Sequence, residues 1–183
     1  MIGILAIVAV VAQTPTLFDA QRFDTKGLPK ADNLEIILNF PAGWEARPGR
    51  HPHVVEEFLG SASASNCNIA VRNLGATVPK VQVINMLREV SSAPAGMKLI
   101  GQEATTVDSL PGLSTTYAGT VSSGGLSASM VQVSLATVYG RDLIVLTCGK
   151  GMRSSDTKDD VTDALAMFGR IGNSIVIKNQ WGD

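Results

Sequence analysis

The chain has 183 residues, a net charge of −1 and only 17% charged side chains. No basic run exceeds an isolated pair and aromatics make up 5%, which excludes both the clustered cations that grip a phosphate backbone and the stacking platforms that hold single strands. The length suits one domain with a substantial core.

Met1 to Ala12 carries no charged or strongly polar side chain. It falls short of the roughly 20 apolar residues that span a bilayer. It suits the apolar region of a secretory signal, with Val10-Val11-Ala12 as a small-residue cleavage site before Gln13. No Lys or Arg precedes the run, so a buried N-terminal strand or helix remains the competing reading. Residues 13–32 are polar and broken by Pro15, Gly27 and Pro29, and read as a lead-in segment.

Leu34, Ile36, Leu38 and Phe40 alternate along one strand face. Pro41-Ala-Gly43-Trp44 ends that strand. Val54 to Leu59 and Cys67 to Leu74 are the next two strands. Val83, Met86, Leu87 and Val90 then follow helical spacing, with Pro79 in the first turn and Pro94 and Gly96 beyond the end. Four strands follow, at about Lys98–Val107, Leu113–Val121, Leu126–Val138 and Asp142–Cys148. Ser155-Asp156 is expected to cap a second helix, in which Val161, Ala164, Leu165 and Phe168 form the buried stripe. Ser174 to Lys178 closes the chain as a short strand. The short links between strands predict an α+β fold: an antiparallel β-sheet flanked by helices.

Cys67 is in phase with Ile69 and Val71, and Cys148 with Ile144 and Leu146. Both thiols therefore face a core from separate strands. In an oxidising compartment the simplest reading is one disulfide. Two buried thiols that never meet is the alternative.

Phe40-Pro-Ala-Gly-Trp44, Leu143-Ile-Val-Leu-Thr147 and Phe168 through Ile177, in this order of elements, resemble the Mog1/PsbP-like family. That family includes PsbP-like, DcrB-like and LpqN-like exported bacterial proteins. The resemblance covers roughly Leu34 to Lys178. It implies an α/β/α sandwich with no shared catalytic site. The resulting division is a signal peptide at 1–12, a lead-in at 13–32, a single Mog1/PsbP-like domain at 33–179 and a tail at 180–183.

His51-Pro52-His53, followed by Glu56 and Glu57, is the one cluster with transition-metal ligand types. Two imidazoles on a turn shaped by Pro48, Gly49 and Pro52 fall short of the four ligands of a structural zinc site. Ser155-Asp-Thr-Lys158 matches Ser-x-x-Lys but lacks the companion motifs that chemistry needs. Asp156, Asp159, Asp160 and Asp163 lack the ligand spacing of a calcium loop and suit a helix N-terminus. Trp44 is expected in the core, and Trp181 exposed. No catalytic, metal or cofactor residue is assigned and no cofactor is expected. Trp181, His51 and His53 are the candidate partner surface.

Together these features predict a periplasmic or extracellular, non-enzymatic domain. Its partner would be an envelope or secreted protein, with no nucleic acid and no membrane span in the mature form. Two alternatives stay open. One is a small exported hydrolase using His51 or His53 as base. The other is a small-ligand carrier with a cavity between sheet and helices.

Overall fold

A computed structural model describes residues 20–60, 64–123 and 126–182. The expected signal peptide, residues 1–12, lies outside the described residues. Among those described, the strands are β1 (Ala20–Asp24), β2 (Ile36–Pro41), β3 (Glu45–Pro48), β4 (Val54–Gly60), β5 (Ser65–Asn73), β6 (Met97–Val107), β7 (Leu110–Ser123), β8 (Leu126–Tyr139), β9 (Asp142–Gly151) and β10 (Val176–Ile177). Helix α1 (Lys80–Val90) follows β5, and α2 (Lys158–Asn173) follows β9.

Seven strands form the main sheet in the order β3-β4-β5-β9-β8-β7-β6, every neighbour antiparallel. A second sheet, β1-β2-β10, is separate. The expected α+β sandwich of antiparallel strands and flanking helices is present, with its strands divided between two sheets. The first alternating strand, β2, pairs with β1 and β10 rather than with β4.

The two faces of the main sheet follow from strand alternation. Ile144 and Leu146 on β9 join Ile69 and Val71 on β5, Ile36, Leu38 and Phe40 on β2, and Phe168 and Ile171 on α2 in the larger core. Leu143, one residue out of phase, packs instead with Val83 and Leu87 of α1, Leu113 of β7 and Val138 of β8. The small sheet and α2 thus cover one face and α1 the other. Gly172 marks a close approach of α2 to the sheet: a Cβ there would stand 2.8 Å from Leu135 Cδ2. No helix is long and apolar enough to cross a membrane among the described residues.

Several sequence expectations need adjusting. The expected lead-in belongs to the sandwich from Ala20 onward: β1 pairs with β2 from Ala20↔Pro41 to Asp24↔Ile37, and Ala31 is buried. The expected tail is tied down through Trp181. Pro79 precedes α1 as its N-cap instead of lying in the first turn. In the α1 stripe Val83 and Leu87 are buried, but Val90, the last residue of the helix, is exposed. The cap of α2 is Thr157, not Ser155 or Asp156. Its hydroxyl accepts the Asp160 amide at 3.2 Å while the Asp160 carboxylate accepts the Thr157 amide at 2.7 Å. That reciprocal pair satisfies two amides that would otherwise be orphaned at the helix start.

Cys67 and Cys148 are joined by a disulfide. They are directly opposed on β5 and β9, with Cα atoms 4.0 Å apart and side chains in the larger core. Trp44 is buried, stacked on Phe40 at 6.0 Å between ring centroids.

Candidate functional site

Strand direction places six connections at one end of the sandwich. These are the β1–β2 loop, the β3–β4 turn, the start of the β5–α1 link, the β6–β7 turn, the β8–β9 turn and the C-terminus. Binding residues favour loops held by a rigid scaffold, and all three residues of the expected partner surface lie at this end.

Side chains bolt these loops to one another. Lys30 donates to the backbone carbonyls of Gly49 and His51, the latter at 3.0 Å, and so holds the β3–β4 turn. Asn73 donates its amide to Asp32 at 2.9 Å and to Asp142 at 3.1 Å. Asn179 accepts the Glu35 amide at 2.7 Å and donates to the Asn33 carbonyl at 3.2 Å. Tyr139 donates its hydroxyl to the Asn179 carbonyl at 2.7 Å.

Asp108 organises the C-terminus. It sits with Ser109 in the two-residue β6–β7 turn, both at positive φ, as a tight hairpin requires. Its carboxylate accepts the Ile177 amide at 2.7 Å and the Trp181 indole N–H at 3.0 Å, and its carbonyl accepts from Gln180. The indole edge is therefore fixed while the ring stays 61% exposed.

His51 and His53 are both exposed. Their carbonyls serve the scaffold: His51 accepts from Val54 at 3.2 Å and His53 from Val71 at 2.9 Å. Neither imidazole is hydrogen-bonded to a Ser, Asp or Glu side chain among the described residues. Glu57 is engaged by Arg50 at 3.3 Å, and Glu56 is buried within β4, where burial and the neighbouring Glu57 charge push its carboxyl upward. No group of three or more His, Cys, Asp or Glu side chains is arranged to hold a metal among the described residues. Replacing both histidines with alanine is expected to leave unfolding free energy within about 0.5 kcal/mol of the parent, as for ordinary surface changes. A thermal melt checks this; a loss of several degrees would contradict it.

Asp32 and Asp142 make a carboxyl pair around Asn73. Asp142 is raised above its ordinary value of 3.8, first by burial and then by the Asp32 charge. Asp32 is lowered, chiefly by the Asn73 hydrogen bond. The two act in opposite directions on stability. The contribution of Asp142 is present at low pH and is lost as pH rises through its elevated folded pKa. That of Asp32 is present above the ordinary value and is lost as pH falls. Asp142→Asn removes the first; it also takes away the hydrogen bond that Asp142 lends to Asp32, but leaves in place Asn73, the main cause of the second. The variant is expected to match the parent near pH 3 and to exceed it increasingly toward pH 7, as read by urea midpoints. A variant less stable than the parent at pH 7 would contradict this assignment.

The opposite end carries a cleft of about 560 Å³ lined by Ser65, Lys150, Arg153, Asp156, Asp160 and Arg170, among others. Lys150, buried on β9, pairs with Asp156 at 3.2 Å. Asp156 is lowered, first by the Arg153 amide, which donates to it at 3.0 Å. Of the Ser-x-x-Lys and acidic motifs, Asp156, Asp160 and Asp163 line this cleft. Asp156 serves the ion pair, and Asp160 serves the capping box. The histidines stand at the far end of β4, so this cleft has no imidazole to act as base.

The small residues of Leu113–Ser129, a possible carrier cavity, border a cleft of about 180 Å³ beside α1, lined in part by Thr115 and Tyr117. That is below the roughly 300–1,000 Å³ of ordinary ligand sites.

No protein-family profile matches the chain, and no curated protein matches it in sequence. Solved structures do. The Ran-binding protein Mog1p of Saccharomyces cerevisiae matches over 88% of this chain and 96% of its own, at 8% identity and a TM-score of 0.54. LpqN of Mycobacterium tuberculosis, described as involved in cell envelope biogenesis, matches over 87% of this chain and 91% of its own, at 15% identity and a TM-score of 0.53. The fold is Mog1/PsbP-like.

Proposed function

We propose that this chain is an exported, non-catalytic domain that binds another protein through its loop end, in the periplasm or outside the cell. The observation that carries the reading is the loop end itself. It is cross-bolted by Lys30, Asn73, Asp108 and Asn179, and it presents Trp181 with its ring exposed and its indole nitrogen anchored. A fixed aromatic loses little freedom when it docks, and Trp is enriched among residues that dominate interface energy.

Three further points support it. The apolar run at residues 1–12 has the make-up of an export signal. A disulfide between core strands suits an oxidising compartment. The two structural neighbours named above carry descriptions of a binding and an envelope role.

Fractionation of the native host, with N-terminal sequencing and thiol alkylation, tests the compartment. The expected product begins at or near Gln13, lies outside the cytosol and has no free thiol. Full-length cytosolic chain with two free thiols would overturn the export part of the proposal.

A further inference from the structure

The main sheet ends differently on its two sides. At one edge β3 is four residues long, ends in Pro48 and carries the Glu45–Arg47 ion pair at 2.7 Å. Short length, charge and proline are the usual protections of a sheet edge. At the other edge β6 is 11 residues long, has no proline and is hydrogen-bonded only to β7. Residues 98–101 and 103–106 are exposed, including Leu99 at 54% and Ile100 at 63%. Such an edge is a template for a further strand.

The charges on β6 say which strand. The register with β7 shifts between Leu99 and Gly101, so Ile100 is an extra residue. Lys98 pairs with Ala118 and Glu103 with Ser114. Those partners lie four apart on β7, so Lys98 and Glu103 share a face. Five residues apart in a regular strand, they would point to opposite faces. The bulge therefore gives the edge a feature it would otherwise lack: a cation and an anion on one face, placed symmetrically about Ile100-Gly101.

We propose that β6 is a self-pairing edge, taken by the β6 strand of a second copy across a two-fold axis. With Ile100 opposite Gly101 of the other copy, Lys98 faces Glu103 and Glu103 faces Lys98. Leu99 then faces Gln102, and Met97 faces Ala104. Each pair shares a face, because their β7 partners (Tyr117 with Thr115, Gly119 with Leu113) are an even number of residues apart. The two-fold repeats every contact, as an isologous interface requires. It yields two cross-strand ion pairs and covers Leu99 and Ile100 on both copies.

Sedimentation equilibrium on the mature chain, beginning at Gln13, tests this, with Lys98→Glu, Glu103→Lys and the double exchange. A concentration-dependent dimer is expected for the parent. Either single change places like charges opposite each other twice, and should weaken the dimer by about tenfold or more. The double exchange restores opposite charges at both places and should recover dimerisation. Both positions are exposed, so melting temperatures measured at concentrations where every variant is monomeric should agree. A parent that stays monomeric up to about 1 mM, the edge of weak association, would overturn the proposal. So would a dimer that ignores the single changes, or a double exchange no better than either single.

Discussion

Reducing the Cys67–Cys148 disulfide is expected to lower the unfolding free energy by about 2–5 kcal/mol. The cysteines are 81 residues apart in sequence. In the chain-entropy model, closing a loop of that length restricts the unfolded chain by an amount worth about 4 kcal/mol at 25 °C. The bridge joins β5 to β9, two adjacent strands of the main sheet, and both sulfurs lie in the larger core. A whole domain commonly has only about 5–15 kcal/mol of net stability, so the reduced chain should be marginal at physiological temperature. Urea unfolding with and without reductant measures the difference. A midpoint unchanged by reduction, with both thiols shown to be free, would contradict the assignment.

Phe40→Ala is expected to cost about 3–5 kcal/mol, the range for truncating a buried phenylalanine. Phe40 is 2% exposed and stacks on Phe58 of β4 at 3.6 Å between centroids. Phe58 in turn meets Phe23 of β1 edge to face at 4.9 Å, and Trp44 lies beyond Phe40. These rings span the gap between the small sheet and the main sheet. Losing Phe40 removes contacts from both and opens a cavity where they meet. Val81→Ala is the matched control. Val81 is 88% exposed on α1, and its loss should fall within about 0.5 kcal/mol. Comparable costs for the two changes would show that the small sheet is not held by this cluster.

Elements whose residues carry their own periodicity were legible in the sequence. β2 alternates without a break, and Ile36, Leu38 and Phe40 are buried as that alternation requires. The phases of Cys67 and Cys148 likewise pointed to a common core. Elements whose pairing comes from elsewhere were not legible. β1 reads Ala-Gln-Arg-Phe-Asp and has one large apolar side chain; β2 supplies its partner bonds. β3 is exposed throughout and exists only against β4. One local signal is present in the sequence at the start of α2: Thr157-Lys-Asp-Asp160 has the spacing of a capping box, with Asp in the place of Glu.

At the loop end, sequence reasoning selected Trp181, His51 and His53 by residue type and exposure. It could not see that the β1–β2 loop and the C-terminus bring them to one end. Nor could it see Asp108, which holds Trp181 from 73 positions away. No spacing rule links a hairpin turn to a C-terminal indole. The link arises because β6, β7 and β10 end near one another in the assembled sandwich.

Site-specific photo-crosslinking in the native host tests the binding claim most directly. A photoreactive residue placed at Trp181, and another at His53, should each yield a discrete adduct with the same envelope or secreted protein. The same probe at Val81, on the outer face of α1, should yield none. The result that contradicts a binding role for this end is no adduct from Trp181 or His53 in correctly exported, folded protein.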